Sequence, residues 1–220
     1  VRTPSLLGVG EDDPVMFELL DSLDRPRYLS DGTRAGLRWL REDIPDFALT
    51  TGPLNSEPMG VTMGDWTRDW GLIVPPGNPN DLTGIEDLLG TNLRFVNRQR
   101  GSGLRASLEK TIERIADEIE SEPRTIRSAI DGYDFTVRAH ESPARRVDAG
   151  EADVGLGLRY TATGLDLGFV PVSTETVRVQ ANESRLHKPG LQAFKSTLEN
   201  NLAAVCEEMP GYGFSSEGEN

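Results

Sequence analysis

Lysine is almost missing from this chain: Lys110, Lys188 and Lys195 are the three examples among 220 residues. With the arginines scattered, no dense basic patch is visible, which argues against direct nucleic-acid binding. The single cysteine, Cys206, excludes an internal disulfide framework, and with His140 and His187 as the only histidines no zinc-type ligand cluster can be assembled. Cys206 falls on the apolar stripe of a terminal helical pattern, the place of a buried structural thiol. No apolar run approaches the roughly 20 residues of a bilayer-spanning helix, so membrane insertion is not expected. A basic-then-apolar signal segment is also missing at Val1, which points to the cytoplasm; a leader already removed would point outside the cell instead.

Carboxylate is abundant. Asp and Glu number 36 against 23 Lys and Arg, for a formal charge of −13. A surface rich in carboxylate and poor in lysine stays hydrated at high salt and repels itself at low salt, so the acidity reads first as halophilic adaptation, which says nothing about the ligand, and second as a surface for a basic partner. The length suits one domain or two lobes.

Short β-prone runs alternate with helical patterns. Strands are expected over 6–10, 27–30, 47–51, 70–75, 93–97, 135–140, 153–158, 168–172 and 177–181. Helices are expected over 15–23, 34–41, 102–121, 125–130 and 143–149, and after Pro189. The pattern from Ser102 is the clearest, with Leu104, Leu108, Ile112, Ile115 and Ile119 at three- and four-residue spacing. Such alternation predicts an α/β fold with mostly parallel sheets flanked by helices. Two extended passages, Asp69–Pro79 and Leu167–Gln180, break it. They would divide the chain into a discontinuous lobe, 1–74 with 173–220, and an inserted lobe, 75–172, with a ligand cleft between.

Three loops carry the signature of an anion site. In "LRFVNRQRGSGLR" a strand runs through Arg98 into Gly101, Ser102 and Gly103 at the start of a helix. There the glycines admit close approach, unpaired N–H groups face outward, and the helix dipole favours negative charge. In "YLSDGTRAGLRWL" the residues Ser30, Gly32 and Thr33 hold the same relation to the next helix, as anion donors or as an N-cap and nothing more. In "HESPARRVDAGEADVGLGLRY", Ser142-Pro143 reads as a capped helix start, and Tyr160 can lend a phenolic hydroxyl or pack its ring. His140 reads as a hydrogen-bonded strand-end residue, because no nucleophile stands beside it in sequence.

The stretch from Phe95 to Gly103, taken with "GLIVPPGNP", "DAGEADVGLG" and "GLDLGFVPV" in the same order, resembles the periplasmic-binding-protein-like domains of molybdate and tungstate handling. The resemblance implies a two-lobed type II binding-protein fold and a tetrahedral oxyanion in the interlobe cleft. It also implies modules that are fused or act as partners: a transporter, a DNA-binding helix-turn-helix, or a molybdenum-cofactor-synthesis enzyme. It places ligand contacts at Arg98, Gly101, Ser102 and Gly103. Where that family often has Gly-Ser-His-Asp-Pro, this chain reads Gly10-Glu11-Asp12-Asp13-Pro14, and Leu104 stands where it usually has Thr. Thr50 and Thr51 either replace lost donors or face neighbouring strands. A dianion beside Glu11, Asp12 and Asp13 would be repelled by roughly 4 kcal/mol per close charge pair at an effective dielectric of 20. Either those side chains point away, capping the helix from Pro14, or the ligand is not such a dianion.

The leading expectation is a non-catalytic domain that binds or senses a small oxyanion, molybdate or tungstate, with no cofactor. Ser30, Gly32, Thr33 and Thr51 would act from one lobe and Arg98 with Ser102 from the other. The alternatives are the effector half of a transcriptional regulator sensing an organic ligand, and an enzyme that clamps a phosphorylated substrate with Arg98 and Arg100. No metal set or nucleophile–base pair accompanies those arginines.

Overall fold

A computed structural model describes residues 5–55 and 59–214. In chain order the elements are β1 (Leu6–Gly10), α1 (Pro14–Asp21), β2 (Pro26–Ser30), α2 (Thr33–Arg41), β3 (Phe47–Thr51), β4 (Val61–Val74) and β5 (Phe95–Arg98). There follow α3 (Gly103–Glu118), α4 (Pro123–Ser128), β6 (Thr136–Val137), α5 (Glu141–Asp148), β7 (Val154–Leu158), α6 (Arg159–Thr163), β8 (Gly168–Ala181), α7 (Pro189–Glu208) and β9 (Tyr212–Gly213). The fold is α/β. Parallel pairings join β1 to β2 and β3, and β5 to β6 and β7. Antiparallel pairings join β3 to β8 and β4 to β7.

Two compact units divide the chain. Unit 1 is Val1–Thr67, Gly101–Gly103 and Thr176–Asn220, and unit 2 is Arg68–Arg100 and Leu104–Glu175. The divisions fall inside β4 and β8, the two 14-residue strands. Sequence patterning had put them at 74/75 and 172/173. The Gly101–Gly103 turn clusters with unit 1 rather than with the strand and helix it joins.

Unit 1 is built on the parallel ladder β2–β1–β3 with the end of β8 beside β3. All five residues of β3 are buried, as expected of a strand covered on both faces. Alternation along the strands sends Leu6, Phe47 and Leu49 into the larger core, with Met16, Leu19, Trp66, Phe194 and Leu198. Val9 and Ala48 face Leu40 of α2 on the other side. Helix α1 starts where Asp13 accepts a hydrogen bond from the Val15 N–H at 3.0 Å, with Pro14 preset for the first turn. Helix α7 presents Leu191, Phe194, Leu198, Leu202 and Cys206 on one buried stripe. Burial, and the Asp13 charge second to it, pushes the Cys206 thiol up to about 12. Cys206 is therefore expected to resist a thiol-specific chromogenic reagent at pH 8 in the folded protein and to react stoichiometrically in denaturant. Rapid labelling of the native chain would contradict its placement.

Unit 2 pairs Trp70–Ile73 of β4 with β7, and β7 with β5. Ile73, Val96, Ala144, Val147, Ala152 and Ala162 form one of its cores. Three expectations change here. Helix α3 stops at Glu118 rather than near Ser121, because Glu120 turns to φ 53°. The two strands expected over 168–172 and 177–181 are one continuous β8, in which the exposed Pro171 is tolerated without its N–H. Ser142 does not cap α5, since the cap position is the buried His140 and the Ser142 N–H donates to the Ala139 carbonyl. Deep in this unit Arg68 donates to Glu175 Oε1 through Nε (2.9 Å) and Nη2 (2.7 Å), while Ser107 of α3 donates to Oε2 at 2.8 Å.

Candidate functional site

Parallel strands bring their carboxyl ends to one edge, and loops at such edges are where α/β folds place ligands. In unit 1 that edge collects Gly10-Glu11 after β1, Asp31-Gly32-Thr33 after β2 and Thr51 at the end of β3. The Gly101–Gly103 turn reaches the same edge. A Cβ on Gly103 would lie 1.6 Å from Thr51 Oγ1, and one on Gly32 would lie 3.0 Å from the Gly101 carbonyl. The Arg34 N–H donates to that carbonyl at 3.3 Å. Two helix starts, α2 and α3, are thereby laid side by side within one unit.

Between them is a carboxylate. Glu11 Oε1 accepts from the Thr33 N–H at 2.8 Å, from the Thr33 hydroxyl at 2.8 Å and from the Gly103 N–H at 2.7 Å. Thr33 Oγ1 in turn accepts from the Thr51 N–H at 2.9 Å and lies 3.3 Å from Thr51 Oγ1. Glu11 is 1% exposed and Thr33 and Thr51 are fully buried. The Glu11 backbone is held on both sides, its N–H donating to the Leu49 carbonyl at 3.2 Å and its carbonyl accepting from the Tyr28 hydroxyl at 2.6 Å. Gly10 takes φ 146°, and its carbonyl accepts from the N–H groups of Asp31 and Gly32.

Of the residues singled out in the sequence, this edge gathers Gly32, Thr33, Thr51, Gly101, Ser102 and Gly103; Ser102 is buried immediately before α3. Ser30 ends β2 opposite Gly10 with its side chain exposed. Thr50 faces β8, through Gln180 and the Arg178 carbonyl, and Thr51 faces Thr33. Asp13 caps α1, whereas Glu11 does not point away from the helix starts. Its role was missed because its partners are 22 and 92 residues distant; the acid following a strand-end glycine was the available signal.

Arg98 and Tyr160 belong to unit 2. Arg98, 1% exposed, ends β5, where its N–H donates to Asn97 Oδ1 at 2.8 Å and its carbonyl accepts from Arg105 at 3.3 Å. Arg105 also lies over the Tyr133 ring, 4.2 Å from its centroid, and donates to Glu109 at 2.8 Å. Burial alone would raise the Glu109 carboxyl, but hydrogen bonds from Tyr133, Arg105 and Arg127 outweigh it and hold the group below its ordinary value. Burial, then the bond to Glu109, pushes the Tyr133 hydroxyl up to about 12. Tyr160 is half-buried in α6. Arg100 is exposed, 3.8 Å from an equally exposed Asp134. Among the described residues no group of three His, Cys, Asp or Glu is placed to hold a metal, and no helix is long and apolar enough to cross a membrane.

Comparison with known proteins agrees with this architecture. The chain is 31% identical over 149 residues to the uncharacterized protein YvgK of Bacillus subtilis (strain 168), covering 66% of this chain and 44% of that protein. It thus spans less than half the length of that relative. A structure from Clostridium perfringens, described as a phosphate ABC transporter substrate-binding protein with bound phosphate, superposes with a TM-score of 0.69 at 13% identity, over 96% of this chain and 99% of that one. The ferric binding protein of Campylobacter jejuni gives 0.68 at 11% identity, over 97% and 87%. Identities this low establish the two-lobed periplasmic-binding-protein fold and nothing about the ligand. The PBP superfamily domain matches residues 31–199, a broader group than the molybdate and tungstate branch suggested by "FVNRQRGSG". On that match, the chain is a member of the PBP superfamily.

Proposed function

We propose that this chain is a non-catalytic small-ligand-binding domain whose ligand is a small oxyanion, with tungstate, molybdate and phosphate as the tetrahedral candidates. One observation carries the reading: two helix-start N–H groups and a threonine hydroxyl converge on a single carboxylate oxygen at 2.7–2.8 Å. Such donors suit an anionic oxygen, and a helix start favours negative charge. The phosphate held by the Clostridium perfringens protein fits the same chemistry. In this reading Thr33, Thr51, Ser102 and the Gly101–Gly103 backbone contact the ligand. The role is capture or sensing rather than turnover, and fused or partner modules for transport, gene regulation or cofactor synthesis use the bound state.

Titration calorimetry in molar sodium chloride tests this, using tungstate, molybdate, phosphate and sulfate in turn. Saturable binding of at least one tetrahedral oxyanion is expected. Silence with all four, from protein shown to be folded by circular dichroism, rejects oxyanion binding by the natural chain.

A further inference from the structure

Glu11 is an unusual occupant for the start of two helices. Helix α1 is capped by the neighbouring Asp13, two residues before the N–H it serves. Helix α2 has glycine at its cap position and no side-chain cap of its own. Its first N–H and that of α3 are both served by one carboxylate oxygen from a third loop. Local serine or threonine caps satisfy such groups without burying a charge, and burying a carboxylate is costly. The backbone around Glu11 is pinned by Leu49 and Tyr28, so the side chain is aimed inward by its own loop. Gly103, with no room for a Cβ beside Thr51, lets the α3 N–H come within reach.

Building on the oxyanion reading above, we infer that Glu11 is a tethered competitor and the specificity-determining residue of this site. Its carboxylate fills the donor seat formed by Thr33 and Gly103, and a free oxyanion takes that seat only by displacing it. The seat then disfavours dianions twice: through loss of the Glu11 hydrogen bonds, and through repulsion by the displaced charge. A cap of purely structural purpose would affect stability when removed and leave anion affinity unchanged. A tethered competitor would do the opposite to affinity, which rises when it is removed.

The experiment compares the natural chain, Glu11→Ala and Glu11→Gln by calorimetry with sodium tungstate and with inorganic phosphate, after circular dichroism confirms folding. Glu11→Ala vacates the seat and is expected to bind at least one probe on the order of 1,000-fold more tightly than the natural chain, in line with removal of one close like-charge contact. Glu11→Gln removes the charge and keeps the occupant, so its gain is expected to be smaller. Equal affinity of the natural chain and folded Glu11→Ala overturns the inference, as does a folded Glu11→Ala that binds neither probe. A Glu11→Gln gain as large as that of Glu11→Ala also overturns it, because occupancy then contributes nothing. A silent natural chain beside a tightly binding Glu11→Ala upholds the inference and rejects oxyanion binding as the native role. Equally tight binding by both rejects the inference alone. Should Glu11→Ala not fold, natural crystals grown with tungstate decide. Heavy-atom density against Thr33 and Gly103 with Glu11 turned out supports displacement; density there with Glu11 still bonded to both overturns it.

Discussion

Glu175→Ala is expected to lower the unfolding free energy by about 3–5 kcal/mol, the usual cost of removing one partner from a buried ion pair. Glu175 and Arg68 are almost completely buried, with side-chain exposures of 3% and 0%, and the carboxylate takes two hydrogen bonds from the guanidinium and one from Ser107. Alanine removes the carboxylate that accepts both guanidinium bonds and strands the Ser107 hydroxyl in the same region. For a chain of this size the loss corresponds to a melting temperature lower by on the order of 10 °C. The double replacement Arg68→Met with Glu175→Leu is expected to recover most of it, because an apolar pair removes both desolvation penalties together. Urea unfolding of the single and double variants, monitored by tryptophan fluorescence, measures both. A single variant within about 1 kcal/mol of the natural chain would show the pair to be far better hydrated than its burial indicates.

Gly10→Ala is expected to cost about 2–6 kcal/mol, combining strain at a backbone conformation suited to glycine with overpacking against an immovable neighbour. Gly10 adopts φ 146°, and a Cβ there would lie 2.0 Å from the Leu49 carbonyl oxygen and 2.8 Å from its carbon. Those are backbone atoms of β3, the strand that ends at Thr51, so relief requires moving the strand that supports the Glu11 seat. Gly77 provides the comparison. It also has positive φ, 79°, yet a Cβ there would meet nothing within 4 Å. Gly77→Ala therefore carries conformational strain alone, about 1–2 kcal/mol. Equal destabilisation of the two variants, in parallel urea titrations, would show that the approach of β3 to Gly10 imposes no packing constraint.

These residues also indicate what a sequence can disclose. Strands β1 and β3 match their expected bounds because short apolar runs bounded by turn residues are a local signal. The helix from Gly103 was plain from its three- and four-residue spacing. By contrast, β4 extends back to Val61, well before the expected start at Trp70, because its first half is partly exposed and carries Gly64 and Asp65 among polar residues. Strand β8 read as two pieces because Pro171 normally interrupts pairing, and only its exposed setting explains the exception. The short helix α6 gave no pattern in five residues. At the candidate site, each glycine-and-hydroxyl helix start was legible singly. Their convergence on Glu11 was not, since it depends on strand order and on a turn from residues 101–103 joining a sheet built near the amino terminus.

That turn has a practical corollary for dissecting the protein. The chain passes from one unit to the other at 67/68, 100/101, 103/104 and 175/176. No contiguous fragment therefore contains all of unit 1, and excising 68–175 would also discard the glycine amide that Glu11 depends on.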